Sequence, residues 1–456
     1  MSQGNQNNNS GQEEQNNQGN TQGGTEQGNE QGSGQGSSQT SIYKTDNDVI
    51  QQILSMTESG TIKVTGELTE DLLTDIGTAL KELYKKNDSI RVDLDLEEGK
   101  GLQKIVYTFK DCNNLKSVFL PEGLTEIGKY SFENCINLEQ IKIPETVETL
   151  GELAFYNCSA LKNIELPEKL KTIGRQAFNH CSSLECIDIP DGVTELLAAT
   201  FSFCSSLKTI KLPANIENCD SFYSKGTSLE TIEFKGNIPN INFPVDTIKT
   251  IKLYAENISI EIFQKLRKIN QVETFVFSSS VKNIQVSTGT NTFESYTSDS
   301  YTINYLYSYL KEIIIDNNNQ NYFSEDGVLY SKDKKVIIFY PKNKQNNSYS
   351  ILKETKKLEK FVFLGNIHLK KMIITTGIEI IGICSFMYNE YLETIVIPKT
   401  VLLIDDYAFY CSPRLKTIYY TGTEEEWNQI EKGEGWNQCC PSDMKIIFNY
   451  TEENND

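Results

Sequence analysis

Histidine is almost absent from this chain: His180 and His368 are the only two among 456 residues. They stand far apart, and neither belongs to a pattern with a nucleophile or a carboxylate, so histidine-based catalysis has little support. The sequence also has no Gly-x-x-x-x-Gly-Lys-Ser/Thr loop and no Gly-x-Gly-x-x-Gly after a strand, the motifs that cradle phosphates. These absences predict a protein that is not an enzyme and that carries no cofactor.

Basic residues and long apolar runs are also scarce. There are 43 Lys and Arg residues against 62 Asp and Glu residues, a formal charge of −19. An acidic chain without a basic cluster repels phosphate backbones, so nucleic acid is a poor candidate partner. No apolar run approaches the roughly 20 residues that span a bilayer, and the opening Met-Ser-Gln-Gly-Asn lacks the regions of a secretory leader. We expect no transmembrane segment, and either an internal protein or one whose leader lies outside this sequence.

Metal-binding patterns are missing as well, although the chain has eleven cysteines. No Cys-x-x-Cys pair occurs, which argues against a zinc site. Asp316 and Asp326 lie in turn-like sequence without the register of an EF-hand loop, so a hairpin role is favoured over calcium binding. We interpret the adjacent Cys439 and Cys440 as a capping or incidental feature rather than a redox site. The sequence therefore predicts no metal site.

Residues 1–41 consist almost wholly of Gln, Asn, Gly, Ser, Thr and Glu. Such a segment cannot bury enough apolar surface to offset the entropy lost on ordering. We predict a disordered, flexible tether over residues 1–41.

What the sequence does contain is a repeat of 23 residues. Phenylalanine returns at that interval, with a cysteine three positions later and a leucine three positions after the cysteine. Each unit continues as in Leu161-Lys-Asn-Ile164-Glu-Leu166-Pro167, whose spacing puts Ile and Leu on one face of a short strand that Pro ends. One unit cannot close a core alone, whereas stacked units bury one another's apolar rows. The repeat therefore predicts an α/β solenoid with a parallel β-sheet along one face.

Five cysteines share one position of the repeat, between apolar neighbours. They are Cys112, Cys135, Cys158, Cys181 and Cys204. We predict a structural ladder of buried free thiols, each packing as a small hydrophobic side chain. Disulfides between neighbours are not expected, because side chains that point inward in parallel do not face one another.

The ends and the middle of the chain depart from the repeat. Thr69 is a candidate N-cap for a helix that leads into the first units, and Asp326-Gly327 is a strong hairpin dipeptide. For the middle stretch we expect a continuous coil with a kink, because strand-like apolar triplets persist there. The predicted segments are an N-terminal cap at 42–100, a first array at 101–236, irregular repeats at 237–308, a β-hairpin insert at 309–342, a second array at 343–420 and a C-terminal cap at 421–456.

The unit Phe-x-x-Cys-x-x-Leu-x-x-Ile-x-Leu-Pro resembles the BspA-like, spirochaete-type leucine-rich repeat. The segment from Asp326-Gly327 to Tyr340-Pro341 looks like the hairpin insert of that family, and the segment from Tyr420 to Ile430 looks like its closing motif. The resemblance covers roughly residues 60–450. It implies a right-handed leucine-rich-repeat coil.

The same resemblance implies surface-exposed, exported proteins that bind host matrix proteins or other cells. Members often carry a low-complexity spacer after a leader or a lipid-anchored cysteine, and residues 1–41 are similar to such a spacer. We therefore expect a cell-surface or extracellular location, with the cytoplasm as the alternative.

Without site chemistry, the candidates for function are the outward side chains of the strands. Stacking predicts a first column of mixed charge with one aromatic residue, made of Phe119, Lys142, Glu165, Asp188 and Lys211. It predicts a second, more apolar column, made of Ile373, Val396 and Tyr419. Interfaces favour aromatic anchors over scattered charges, so we expect solvent over the first column. Over the second, contact with a partner or with the next element of the chain is expected as strongly as exposure to solvent.

The hypothesis is a non-catalytic, adhesin-like protein whose sheet face binds a host matrix protein or a protein on another cell. The alternative is an envelope or cytoplasmic scaffold protein that assembles through its repeats.

Overall fold

The fold is a parallel β-solenoid, seen in a computed structural model that describes residues 41–43, 46–219, 226–236, 238–239, 247–287 and 302–451. The predicted tether at 1–41 lies outside these residues except for Ser41, which begins a strand. Parts of the predicted irregular stretch at 237–308, and the last five residues of the predicted C-terminal cap, also lie outside them.

One face of the solenoid, here called the sheet face, carries strands that repeat with the period of the sequence. Inward and outward side chains alternate, so that Ile210 and Leu212 are buried in the core while Lys211 between them is half-buried. The first sheet contains Ser41–Tyr43, Gly60–Val64, Val92–Asp95, Leu115–Phe119 and Gln140–Lys142. The second contains Cys186–Asp188, Thr209–Leu212, Thr231–Phe234, Thr250–Leu253, Thr274–Phe277 and Glu312–Ile315. The third contains Ser348–Ser350, Lys371–Ile373, Thr394–Ile397, Thr417–Tyr420 and Lys445–Ile447.

A second wall of the coil carries two-residue strands, also paired in parallel. These are Gly66–Glu67, Gly99–Lys100, Lys104–Ile105, Glu126–Ile127, Thr149–Leu150, Thr172–Ile173, Asn257–Ile258, Asn283–Ile284, Ile380–Ile381, Leu403–Ile404 and Glu431–Lys432. They are short because a glycine follows several of them and the chain turns towards the next Phe position.

The predicted hairpin insert is confirmed. Strands Tyr322–Glu325, Val328–Ser331 and Val336–Phe339 pair in antiparallel fashion. Asp326 and Gly327, at the first turn, both have positive φ, as a type I′ turn requires. A parallel partner for the third hairpin strand, Lys357–Leu358, returns the chain to the coil.

Helices lie at both ends of the coil and in its middle stretch. They span Asp46–Ser55, Glu70–Lys86, Ile260–Leu266, Ile303–Leu306 and Glu424–Gln429. The predicted N-cap is confirmed, because the Thr69 side chain accepts a hydrogen bond from the Leu72 N–H at 3.1 Å. The helix Glu70–Lys86 then covers the first coil, where its Leu80 carbonyl accepts a hydrogen bond from the Asn114 amide.

The core of the first array is a column of stacked phenylalanines. Neighbouring rings have centroids 5.3 to 5.5 Å apart, and each ring is fully buried. The column consists of Phe109, Phe132, Phe155, Phe178 and Phe201. A second column in the later array stacks Phe363, Phe386 and Phe409 at 4.8 and 5.2 Å. The 23-residue spacing thus places one ring at the same position of each turn, and the separation between successive turns sets the stacking distance.

The sheet continues through the middle stretch, although the units there vary in length. Thr250 pairs with Thr231 on one side and with Thr274 on the other. Partners in neighbouring turns lie 19 residues apart at Lys252 and Glu233, but 38 apart at Thr274 and Glu312. The longer interval contains the helix Ile303–Leu306, while the helix Ile260–Leu266 lies in the preceding interval, between the strands Thr250–Leu253 and Thr274–Phe277.

The corners of the coil adopt left-handed backbone, and in the first array they do so without glycine. Two non-glycine residues per turn have φ near +60°, a conformation that costs roughly 1 kcal/mol or more for an L residue. In the first array they are Tyr107, Asp111, Tyr130, Asn134, Leu153, Asn157, Gln176, His180, Ala199 and Phe203. The next turn holds most of these corners in place, as where the Asn134 N–H donates to the Tyr156 carbonyl at 2.8 Å.

Candidate functional site

The ladder cysteines lie inside the coil as free thiols with no exposed surface. Each donates a hydrogen bond to a backbone carbonyl of the preceding layer. The bonds are Cys112 to Gly77 (3.4 Å), Cys135 to Phe109 (3.0 Å), Cys158 to Phe132 (3.2 Å), Cys181 to Phe155 (3.1 Å) and Cys204 to Phe178 (3.0 Å). Burial raises the pKa of Cys158 and of Cys181 well above the ordinary thiol value. These thiols therefore stay protonated and serve as structural donors.

The second array fills the same position with other donors, which the sequence reasoning missed. The Asn389 amide donates to the Phe363 carbonyl at 2.9 Å, and the Ser412 hydroxyl donates to the Phe386 carbonyl at 3.0 Å. The Cys440 thiol donates to the Phe409 carbonyl at 3.2 Å. The position requires a small donor rather than a cysteine as such.

We therefore expect Cys158→Ser to be tolerated better than Cys158→Ala. Serine keeps the donor, as Ser412 does, while alanine loses a hydrogen bond with a net value of about 1 kcal/mol. Urea denaturation of both variants measures the difference. Equal stability, or a more stable alanine variant, would show that the thiol acts only by filling space.

The first predicted column lies along the sheet face, where two pairs of its residues are in register. Phe119 pairs with Lys142, and Asp188 pairs with Lys211. Its charges find partners on the same face: Lys142 contacts Glu97, and the Lys211 ammonium is 3.3 Å from the Asp188 carboxylate. Such exposed pairs contribute about 0 to 1 kcal/mol each, and they partly neutralise the charges of Lys142, Asp188 and Lys211.

The sheet face is interrupted within this column. Residues 163–165 do not form the strand that the repeat predicts, so the first sheet ends at Gln140–Lys142 and the second begins at Cys186–Asp188. Ile164 still points inward and is buried, which shows that the apolar pattern is satisfied without the ladder of hydrogen bonds. A depression of about 580 Å³ opens there, and it is lined in part by Phe119, Lys142 and Glu165. Asp188 and Lys211 lie outside it, on the second sheet.

The second predicted column is covered by the chain itself only in part. Ile373, Val396 and Tyr419 are in register across the third sheet. Val396 is only 4% exposed, so it offers almost no surface to a partner. The Tyr419 ring lies 4.6 Å from the ring of Tyr450, in the segment after the last strand. At Tyr419 the observed contact is therefore with a following element of the chain.

A third surface, which we call the Tyr254 depression, was missed. Val276 and Ile314 pair across neighbouring strands of the sheet face. With Tyr254 they line a depression of about 470 Å³, whose rim includes Lys252 and Asp316. Tyr254 is 38% exposed and Ile314 is 41% exposed. Val276 lies between Phe275 and Phe277, which point inward. The alternation of a strand therefore predicts that Val276 points outward, and this was the signal in the sequence.

A buried carboxylate fixes one side of the Tyr254 depression. Glu233 is 3% exposed and accepts hydrogen bonds from the Lys252 ammonium at 2.7 Å and the Tyr254 hydroxyl at 2.8 Å. Burial, together with this hydrogen bond to Glu233, raises the pKa of Tyr254 to about 12. The phenol therefore remains a neutral donor, and its hydrogen bond to Glu233 restrains the side chain.

The two histidines have amide and aromatic neighbours. The His180 ring stacks on Phe203 with centroids 4.5 Å apart, while the thiol of the adjacent Cys181 points away into the core. His368 Nε2 lies 2.8 Å from Asn343 Oδ1. Among the residues that the structure describes, no three or more His, Cys, Asp and Glu side chains are grouped so as to hold a metal ion. Within the same residues, none of the helices combines the length and the apolar character needed to cross a membrane.

Comparison with known proteins gives a family match and several similar folds. The model of the BspA type leucine rich repeat region matches six copies, over residues 99–196, 125–243 and 338–432. The pneumococcal vaccine antigen PcpA is similar at 23% identity and a TM-score of 0.32 over 74% of this chain; the chain covers 63% of that protein, less than two thirds of its length.

Two further solved structures are similar to this chain. A leucine-rich repeat protein from Bacteroides ovatus has 20% identity and a TM-score of 0.27, over 76% of this chain and 87% of that one. A leucine rich cell surface protein from Faecalibacterium prausnitzii has 20% identity and a TM-score of 0.24, over 72% of this chain and 86% of that one. No curated protein matches the chain.

Proposed function

From the premise that this chain belongs to the BspA-type leucine-rich repeat family, we propose that it is a non-catalytic binding protein of the cell surface or the extracellular space. It acts as an adhesin: the sheet face recognises a protein ligand, either a host matrix protein or a protein on another cell. The proposal gives the chain no catalytic residue and no cofactor.

The Tyr254 depression is the observation that carries this proposal. Protein interfaces are anchored by aromatic and aliphatic side chains in desolvated pockets, surrounded by a polar rim. Tyr254, Val276 and Ile314 supply such anchors, and Lys252 and Asp316 supply a rim. The Tyr254 hydroxyl is already bonded to Glu233, so little side-chain entropy is lost when a ligand covers the ring.

The charged column leads directly into this depression. Lys211 pairs in register with Glu233, and Glu233 pairs with Lys252. We assign the column, with Phe119, Lys142, Glu165, Asp188 and Lys211, to the rim of the ligand surface. Charges in that position steer encounter and set specificity more than they add affinity. Ile373 remains a candidate contact on the third sheet, where it is half-buried.

Binding of the full chain to a panel of matrix proteins and intact cells tests the proposal. We expect saturable binding that a double variant, Tyr254→Ser with Ile314→Ser, weakens at least about tenfold, because truncated anchors each cost roughly 1 to 2 kcal/mol or more. Ile380→Ser is the matched control, since Ile380 is 48% exposed but lies on the second wall of the coil.

Two outcomes would overturn the adhesin proposal. One is a folded chain that binds nothing in the panel. The other is an equal loss of binding in the double variant and in the Ile380→Ser control, since that would separate binding from the sheet face.

One feature favours the alternative of a self-assembling scaffold. Lys445–Ile447 is the last strand of the third sheet, and no strand within the described residues pairs with its outer edge. Its Ile447 side chain is 43% exposed. Open edges are templates for pairing with another chain. A mass that rises with concentration in sedimentation, and that Ile447→Lys abolishes, would favour the scaffold; the adhesin proposal expects a constant mass.

A further inference from the structure

Cys411 and Cys439 occupy the same corner in successive turns of the coil. Both have the left-handed backbone of that corner, with φ of 51° and 67°. The Cys411 N–H donates to the Gln438 carbonyl at 2.9 Å, which sets the two turns in register. Side chains at this corner face one another elsewhere too, since the Asn157 amide donates to the Asn134 side-chain oxygen at 3.0 Å.

The two thiols lie against each other near the surface. Cys439 is exposed and Cys411 is half-buried. Burial, and after it a hydrogen bond with the Cys439 thiol, raises the pKa of Cys411 to about 11. Parallel strands in neighbouring turns are about 4.8 Å apart, which lies within the Cα separation of about 4.4 to 6.8 Å that a disulfide needs.

The adjacent Cys440 is directed elsewhere. Its thiol takes the ladder position and donates to the Phe409 carbonyl inside the coil. The thiols of the neighbouring residues Cys439 and Cys440 therefore point in different directions. The thiol that faces Cys439 is that of Cys411, one turn earlier.

We propose that Cys411 and Cys439 form a reversible disulfide that fastens the C-terminal cap to the second array. The oxidant is a low-molecular-weight disulfide such as oxidised glutathione. The exposed Cys439 thiolate attacks one of its sulfurs and displaces one small thiolate. The Cys411 thiolate then attacks the Cys439 sulfur of the mixed disulfide and displaces the second. The two protein thiols lose two electrons and two protons, and the small disulfide is reduced to two small thiols.

The disulfide closes a loop that contains the main elements of the cap. That loop includes the helix Glu424–Gln429, whose Trp427 packs edge-on against Tyr420 and Trp436. Cross-linking a loop restricts the unfolded chain and so stabilises the folded one. The inference concerns the end of the coil and does not rest on the proposed ligand surface.

Oxidation of the full chain with oxidised glutathione, followed by alkylation under denaturing conditions and mass spectrometry, tests the proposal. We expect a loss of two hydrogen masses, a cross-linked peptide that joins the two cysteines, and a rise of roughly 2 to 5 °C in the unfolding midpoint of the cap. The ladder thiols stay free.

Three variants make the result specific. Cys440→Ser, which keeps the inward donor, should retain the cross-link, while Cys439→Ser should lose it. Cys186→Ser removes another exposed thiol and should change nothing. A cross-link between Cys439 and Cys440, or stable glutathione adducts in place of a cross-link, would overturn the proposal.

Discussion

Replacing Phe155 by alanine is expected to lower the free energy of unfolding of the first array by about 3 to 5 kcal/mol. The Phe155 ring is fully buried and stacks on Phe132 at 5.3 Å and on Phe178 at 5.4 Å, with the three planes nearly parallel. Its removal leaves a cavity between two rings whose positions are fixed by their own turns. Because each turn contacts only its neighbours, the loss also uncouples the turns on either side.

Urea denaturation followed by far-UV circular dichroism measures this loss, and hydrogen exchange locates it in the array. Phe203→Ala is the matched control, because Phe203 lies in the same array but is 44% exposed. We expect the control to cost no more than about 1 kcal/mol. Similar losses in the two variants would mean that the phenylalanine column does not hold the turns together.

The second large effect is expected for Gly174→Ala. A Cβ atom at Gly174 would lie 2.4 Å from the Glu152 nitrogen and 2.4 Å from the Gly151 carbonyl carbon. Both are backbone atoms of the preceding turn, so they cannot rotate away as a side chain does. Relief requires the turns to separate, and we expect a loss of about 3 kcal/mol, at the upper end for overpacked sites.

Gly60→Ala provides the control for this change. The nearest atom to a Cβ at Gly60 is the Met56 Cε at 3.7 Å, an ordinary contact. Alanine there restricts the unfolded chain and should be neutral or stabilising by up to about 1 kcal/mol. The denaturation midpoint of Gly174→Ala should therefore fall, while that of Gly60→Ala should stay the same or rise. A fully stable Gly174→Ala variant would show that the turns are not in close backbone contact.

The repeat made the fold predictable because residues at the same position of each unit make the same contacts in every turn. Phe132 and Phe155 are separated by one unit, and the structure stacks them face to face. Thr69 was predictable for a similar reason, since the cap depends on residues within one helical turn. Interactions between residues at a constant interval, or between residues close together in the sequence, can be predicted from the sequence alone.

The rest could not be read in this way. Asn389 and Ser412 share with the ladder cysteines only the ability to donate a hydrogen bond, so a search by residue type passes over them. Ile314 stands beside Val276 across an interval of 38 residues, the same as between the neighbouring pair Thr274 and Glu312, and the 23-residue period does not predict this interval. The cover over Tyr419 comes from Tyr450, a contact that no period encodes.

The left-handed corners bear on how such a chain evolves. A corner that depended on glycine would display no side chain, whereas here the neighbouring turn enforces the conformation through hydrogen bonds such as Asn134 to Tyr156. One corner row consequently runs through carboxylate, amide, imidazole and phenyl groups without altering the path of the backbone: Asp111, Asn134, Asn157, His180 and Phe203. Each turn contributes one side chain of variable chemistry to an edge of fixed geometry. Substitutions along this edge can therefore change its surface chemistry one residue at a time, while the backbone of the coil stays the same.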